Sequence, residues 1–289
     1  MNYQGYYINL DSSLDRRQTM EEHLYDVNLK ESFERFNALR PSSDKELYGL
    51  KTAGELGIWL SILSLLKKIS LENDDGFVHI IEDDFRFNNK ILKRLYEILE
   101  ILGKTDEDIF FLDYMINLPL LNLINLHLRN KKEFGEEKEI FYPARDYYFS
   151  CMSSFLIKKT SVKFLFEILT RVYLNLKYYK KLIPIDMALK RLLRNGVLKG
   201  SIVVPPLGAP DWDLDKNSTI QNFCSKIINN SHQVYLLMRC CSSGIKSPEF
   251  CGKEFAKIIN LNLDKIKIKN LEDFYKLVDI HKHKIKHDW

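Results

Sequence analysis

The run Ile80-Ile81-Glu82-Asp83-Asp84-Phe85 puts three acids in a row directly after Phe77–Ile81, a short apolar segment rich in β-branched residues. That segment reads as a central parallel strand. In open α/β sheets, ligands bind beyond the carboxyl ends of the strands. Carboxylates crowded at such a place repel one another, so the arrangement is costly unless a cation sits among them. Hard divalent ions such as Mg²⁺ or Mn²⁺ take oxygen ligands and bridge to phosphate oxygens. The chemistry suggested is a metal–diphosphate site. The alternative is a short acidic run that only opens a loop and caps the next helix.

Three further constellations carry possible chemistry. Tyr7-Ile8-Asn9-Leu10-Asp11 is followed by Leu14-Asp15-Arg16-Arg17, with two arginines in the first turn of an expected helix. A helix dipole disfavours cations there, and a bound anion held by the planar guanidinium forks would remove the conflict. A solvated helix face, with Asp15 pairing locally, is the other account. Gly54-Glu55-Leu56-Gly57 opens the next helix, where glycines admit either a ligand close to free N–H groups or tight packing alone. Pro184-Ile185-Asp186 sets an acid at a helix start, as a first-turn acid or as a catalytic group.

Other chemistry-bearing residues have simpler accounts. His79 lies inside the strand before the acids and reads as a core residue. His232 lies in the C-terminal region, within conceivable reach of a diphosphate-bound metal. Asp211-Trp212-Asp213 is either an acceptor platform or a surface turn, and His281, His283 and His287 alternate with lysines near the C-terminus.

Those residues need a framework. Strand-like segments at Tyr6–Leu10, Phe33–Leu39, Phe77–Ile81, Asp108–Leu112, Met152–Ile157 and Val197–Val204 alternate with helical ones. The helices are expected at Leu14–Tyr25, Gly54–Lys68, Lys90–Leu102, Ser161–Tyr173 and Ile185–Leu193. This alternation predicts an α/β fold of βαβ units. The charged stretch Asn130–Glu139 reads as a loop. After about residue 215 no β-rich run is evident, and Lys253–Trp289 reads as Lys-rich helix. The expected division is a catalytic domain over 1–215 and a mainly helical extension over 216–289.

Composition narrows the classes. The chain has 289 residues, 45% of them hydrophobic, with only 12 Gly and 8 Pro, which excludes a disordered or fibrous chain. A net charge of +4 is too small for a nucleic-acid footprint. Five cysteines without a C-x-x-C motif point to reduced thiols rather than a disulfide framework or zinc site. No signal-peptide pattern or membrane span is evident, so a cytoplasmic protein is expected. The basic tail, with Leu271, Phe274, Leu277, Val278 and Ile285 beside its lysines, reads either as a solvated helical end or as a peripheral contact with an anionic membrane face.

In order along the chain, YYINLDSSLDRR (6–17), FERFNAL (33–39), GELGIWLS (54–61), VHIIEDDF (78–85), DIFFLD (108–113), SSFLIKK (153–159), PIDMAL (184–189) and IVVPPL (202–207) resemble glycosyltransferase family 25. KNSTI (216–220) is a weaker match. This is the bacterial lipooligosaccharide and procollagen galactosyltransferase-like group.

The resemblance implies a GT-A-like, Rossmann-type, mostly parallel sheet flanked by helices, with a helical C-terminal extension. It also implies a UDP-sugar donor, usually UDP-galactose, and inversion at the anomeric carbon. The acceptor would be a lipid-linked or oligosaccharide glycan. Asp84 and Glu82 would hold a divalent metal, Mn²⁺ or Mg²⁺, with Asp83 beside the donor's ribose or sugar. Asn9, Asp11, Arg16, Arg17, Gly54 and Glu55 would bind the nucleotide sugar, and Asp186 would be the catalytic base. The chain departs from the family pattern at Ile62, where a His is common, and in Ser153–Ile157, where a Tyr is frequent.

Overall fold

The computed structural model describes residues 2–41, 47–72, 74–89, 91–116, 120, 123–124, 126, 140–215, 230–261 and 267–281. Strand β1 (Tyr3–Asn9) leads through a short polar loop into helix α1 (Leu14–Asp26), and β2 (Phe33–Asn37) follows. Helix α2 (Ala53–Ile69) opens with a reciprocal capping box. The Thr52 hydroxyl accepts the Glu55 N–H at 3.1 Å, and the Glu55 carboxylate accepts the Thr52 N–H at 3.2 Å. Two orphan donors of the first turn are satisfied in this way.

The acids follow β3 (Phe77–Glu82) and precede β4 (Phe85–Phe87), α3 (Ile91–Leu102) and β5 (Ile109–Phe111). Next come β6 (Ile140–Pro143), the single turn α4 (Ala144–Tyr147), β7 (Ser154–Lys158), α5 (Lys159–Tyr178) and α6 (Ile185–Arg194). The chain then forms β8 (Gly200–Val204), β9 (Gly208–Pro210) and the short α7 (Trp212–Asp215). Helices α8 (Asn230–Ser242), α9 (Pro248–Ile258) and α10 (Leu271–His281) complete the described elements.

The protein is mixed α/β. A seven-stranded sheet has the order β2-β1-β3-β7-β5-β8-β6. Strands β1, β2, β3, β5 and β8 run one way, while β7 and β6 run against them. Met152–Ile157, expected as one more strand of a βαβ series, therefore enters as the antiparallel β7, since an apolar run carries no direction. The strand expected at Val197–Val204 starts at Gly200, because α6 ends in a turn with Gly196 at φ +69°. Asn130–Glu139, residues 216–220 and the tail beyond His281 lie outside the described residues.

Successive side chains of β3 feed opposite layers. Val78 and Ile80 join an apolar layer with Trp59, Leu65 and Leu66 of α2, while Phe77 and Ile81 join one with Leu24 of α1 and Leu95 of α3. The first layer also takes in Leu237 of α8, Phe255 of α9 and Phe274 of α10, so the C-terminal helices share this core. His79 is fully buried, with its ring nitrogens 2.7 Å from the Tyr3 hydroxyl and 2.8 Å from the Ser154 hydroxyl. Burial pushes its pKa down to about 3, which makes it a neutral core residue. No helix among the described residues is long and apolar enough to cross a membrane.

Candidate functional site

The strand order reverses between β1 and β3: the chain passes from β1 outward to β2, then returns to β3 on the other side. Such a switch point opens a crevice at the carboxyl ends of the strands. A crevice of about 660 Å³ lies there. Leu10, Ser12, Ser13 and Arg16 line it from beyond β1, Ala38–Pro41 from beyond β2, Thr52, Gly54 and Gly57 from the start of α2, and Glu82, Asp83 and Asp84 from beyond β3. Gly57 lets the loop after β2 lie flat on α2, since a Cβ there would stand 2.9 Å from the Leu39 carbonyl oxygen. The Leu39 N–H then donates to the Ser61 hydroxyl at 2.8 Å.

The backbone holds the three acids from both sides. The Glu82 N–H donates to the Ser153 carbonyl at 3.0 Å, and the Asp211 N–H donates to the Asp84 carbonyl at 2.7 Å. Strand β4 turns straight back into an antiparallel pairing with β9. Asp83 and Asp84 thus occupy a tight turn between two paired segments.

Side chains then fix the carboxylates. Asn9, at the end of β1, is buried and donates to Asp83 Oδ2 at 2.7 Å. Arg16 Nη2 reaches Asp83 Oδ1 at 2.6 Å and Asp84 Oδ2 at 2.7 Å. A single guanidinium nitrogen therefore sits between two carboxylates. Arg86 holds the turn from beneath, donating to the Phe85 carbonyl at 2.9 Å and pairing with Asp211 at 3.3 Å.

Burial, then the neighbouring Asp84 and Asp83, push the Glu82 carboxyl up to about 8. Burial also raises Asp83, although Arg16 and Asn9 both favour its ionised form. Arg16 and, behind it, Arg86 face these acids, and the donors offered to the crevice are carboxylate oxygens, the kind a hard divalent cation takes. Among the described residues, no three His, Cys, Asp or Glu side chains converge as a complete metal-holding set. Glu82 and Asp84 would supply part of the coordination and a ligand's phosphate oxygens the rest.

The raised Glu82 pKa has a consequence for stability. A carboxyl whose folded pKa lies above its unfolded value favours the folded state below the unfolded value of about 4.3, and loses that contribution as pH rises through about 8. Glu82→Gln is therefore expected to match the parent near pH 4 and to exceed it near pH 9. The gain is expected to appear only as pH rises through the raised Glu82 pKa. Thermal unfolding of both proteins across that range checks this, and an offset that does not change with pH would contradict it.

The remaining anticipated residues lie at different distances from the crevice. Asp11 is exposed; it accepts from Arg35 at 2.5 Å and from Asn37 at 2.7 Å, and Arg35 holds its carboxyl below the usual range. Arg17 pairs with Glu21 at 2.8 Å on the outer face of α1. Glu55 commits its carboxylate to the capping box, while Gly54 lines the crevice. Trp212 is buried in the core, and Asp211 is turned to Arg86. Ile62 is likewise a buried core residue, so this departure from the family pattern removes no crevice side chain. The side chain of His232 lies outside what is described.

Asp186 stands apart from the crevice lining, in the first turn of α6. Its Oδ1 accepts the Met187 N–H at 2.8 Å and its Oδ2 the Cys151 N–H at 3.3 Å. Burial outweighs these two bonds and raises its pKa, and Glu55 pushes the same way. Such a carboxyl is suited to accepting a proton nearer neutrality.

Sequence reasoning missed the partners that complete the site. Arg239 of α8 forks onto Asp113, with Nε donating to Oδ1 at 2.9 Å and Nη2 bonding to Oδ2, and it also donates to the Ser153 hydroxyl at 3.0 Å. Ser153 is the residue whose carbonyl receives the Glu82 N–H, so α8 is tied to the strand end that carries the acids. Arg35, Arg86 and Arg239 carried no local signal, since each partner lies on another element.

The fold and site define an α/β protein with an acidic crevice at the switch point of its sheet. The sequence model of glycosyltransferase family 25 (LPS biosynthesis protein) matches residues 2–189, and the chain belongs to that family. No curated relative matches the chain. Family membership makes it a glycosyltransferase of lipopolysaccharide biosynthesis, with a nucleotide-sugar donor and a glycan acceptor.

Proposed function

We propose that the chain is an inverting, metal-dependent glycosyltransferase with a GT-A-like fold. It moves a hexose, galactose, from a UDP-sugar to a glycan acceptor of lipooligosaccharide, lipopolysaccharide or a surface polysaccharide, in the cytoplasm. The observation that carries this reading is the acid turn Glu82-Asp83-Asp84, held in the switch-point crevice with Arg16 between two of its carboxylates.

In an inverting transfer, an acceptor hydroxyl attacks the anomeric carbon while the nucleoside diphosphate departs from the opposite face, through a state of oxocarbenium character. A divalent ion on Asp84 and Glu82 would supply charge stabilisation to the leaving diphosphate. Asn9 keeps Asp83 aimed into the crevice, where it is set to meet the donor's ribose or sugar. Arg16 can exchange a carboxylate for a phosphate oxygen, since its planar fork suits both. Asp186 takes the proton of the acceptor hydroxyl.

Calorimetric titration of UDP and a panel of nucleoside diphosphate sugars, with Mn²⁺ and with EDTA, tests the reading. UDP-sugar binding is expected to require the metal. Asp84→Asn should weaken it by at least the roughly 10- to 100-fold that loss of a metal's supporting carboxylate costs. Folded protein that binds no nucleotide sugar under any condition would reduce the chain to a degenerate module.

A further inference from the structure

We propose that the C-terminal end of α5 and the turn after it form a docking surface for an anionic lipid bilayer, tied to a loop that lines the crevice. Between Ile168 and Ile185 the sequence holds Arg171, Lys177, Lys180 and Lys181 and no Asp or Glu, in a chain whose net charge is only +4. Large apolar and amphipathic side chains share that stretch and face solvent: Leu174 is 58% exposed, Tyr178 80% and Tyr179 63%. Phe164, Arg171, Leu174 and Tyr178 follow each other at spacings of seven, three and four residues, which sets them along one face of the helix. Glu167 is the acid on that face.

Two local features show a surface built around these groups. The rings of Tyr178 and Tyr179 meet edge to face at 5.0 Å, forming a paired aromatic tip. Lys180 adopts φ +53°, the left-handed conformation that ends helices and that glycine enters without a Cβ penalty. This turn leaves the Lys180 side chain exposed beside the two tyrosines.

Tyrosine, with an apolar body and polar tip, belongs at the headgroup level of a bilayer, and lysines beside it are attracted to anionic headgroups. The charge and the aromatic tip together select a bilayer surface over an apolar protein partner.

The position gives the surface a use. The Leu182 N–H donates to the Tyr48 carbonyl at 2.8 Å, and the Lys177 ammonium lies 4.6 Å from the Tyr48 ring centre. Leu47 and Lys51, in the same loop, line the crevice. A bilayer seated on Tyr178 and Tyr179 would therefore bring a membrane-borne acceptor beside a loop that lines the crevice.

Co-sedimentation of the full-length protein with phosphatidylcholine vesicles, with and without phosphatidylglycerol, tests this without donor or acceptor. The outcome is thus independent of the transferase reading. Binding is expected only to the anionic vesicles, and high salt should reverse it. Lys180→Glu/Lys181→Glu and Tyr178→Ser/Tyr179→Ser, each with an unchanged thermal transition, should weaken binding about tenfold or more, given roughly fivefold per basic residue near such a surface. Lys282→Glu/Lys284→Glu/Lys286→Glu, in the tail, should bind within a fewfold of the parent. The proposal is overturned if the parent ignores anionic vesicles or if only the tail variant loses binding. It is also overturned if the patch variants change the oligomeric state and leave vesicle binding intact.

Discussion

Replacing Asp186 by asparagine is expected to lower kcat by about 10²- to 10⁴-fold, the range that a positioned general base contributes. The exchange preserves volume and removes the charge. Asparagine can accept only one of the two backbone N–H groups, from Met187 and Cys151, that now reach the carboxylate. The structural cost is therefore about 1 kcal/mol, small beside the expected loss of rate. The donor's dissociation constant should barely change, because a general base meets the acceptor hydroxyl and not the donor. The parent's rate should rise with pH through a carboxyl pKa above the ordinary range, because burial raises it, and the asparagine variant should lose that limb. Steady-state rates across pH, together with a thermal transition for each protein, check the prediction. A lowered transition with an unchanged kcat would leave Asp186 as a helix-opening residue alone.

Arg239→Met is expected to destabilise the protein by about 3–5 kcal/mol, because it strands the Asp113 carboxylate, which is fully buried. For a chain of this size the loss corresponds to a fall in Tm on the order of 10 °C. The cost belongs to the stranded charge more than to the pair itself. Arg239→Met combined with Asp113→Leu should therefore recover most of the loss, since apolar replacement of a buried pair is often neutral. Denaturant unfolding of the parent, the single variant and the double variant measures both steps. A single variant within about 1 kcal/mol of the parent would mean that Asp113 finds another partner or takes up a proton. The site should also register the change, since Ser153 links this pair to the strand end carrying Glu82.

Several parts of this architecture were legible in the residues. A mostly apolar strand that ends in three acids marks burial, and Phe77–Glu82 is that strand. The all-round apolar helix at Ala53–Ile69 likewise announced its burial, and the structure adds the capping box that starts it. The antiparallel entry of β7 was not legible, because alternation and composition specify a strand without specifying its direction. Three-residue strands such as β4 and β9 are too short for any periodicity to register, yet their pairing shapes the acid turn. Arg16 was legible as an anion-seeking residue but not as one already engaged by Asp83 and Asp84, since those partners lie 67 and 68 positions away. Arg239 was wholly hidden, in a helix with an ordinary pattern and a partner 126 residues distant.

The clamped turn between β3 and β4 gives the folded state a particular character. Pairing on either side fixes the backbone that carries Glu82, Asp83 and Asp84, so their closeness in sequence becomes closeness in space. On the proposed reading, a cation-bearing ligand would relax this crowding in the folded chain and find no comparable site on the unfolded one. Occupancy and conformational stability then become linked quantities. A donor held at this turn would then raise the unfolding temperature as its occupancy rises, a link between binding and folding that needs no turnover to be seen.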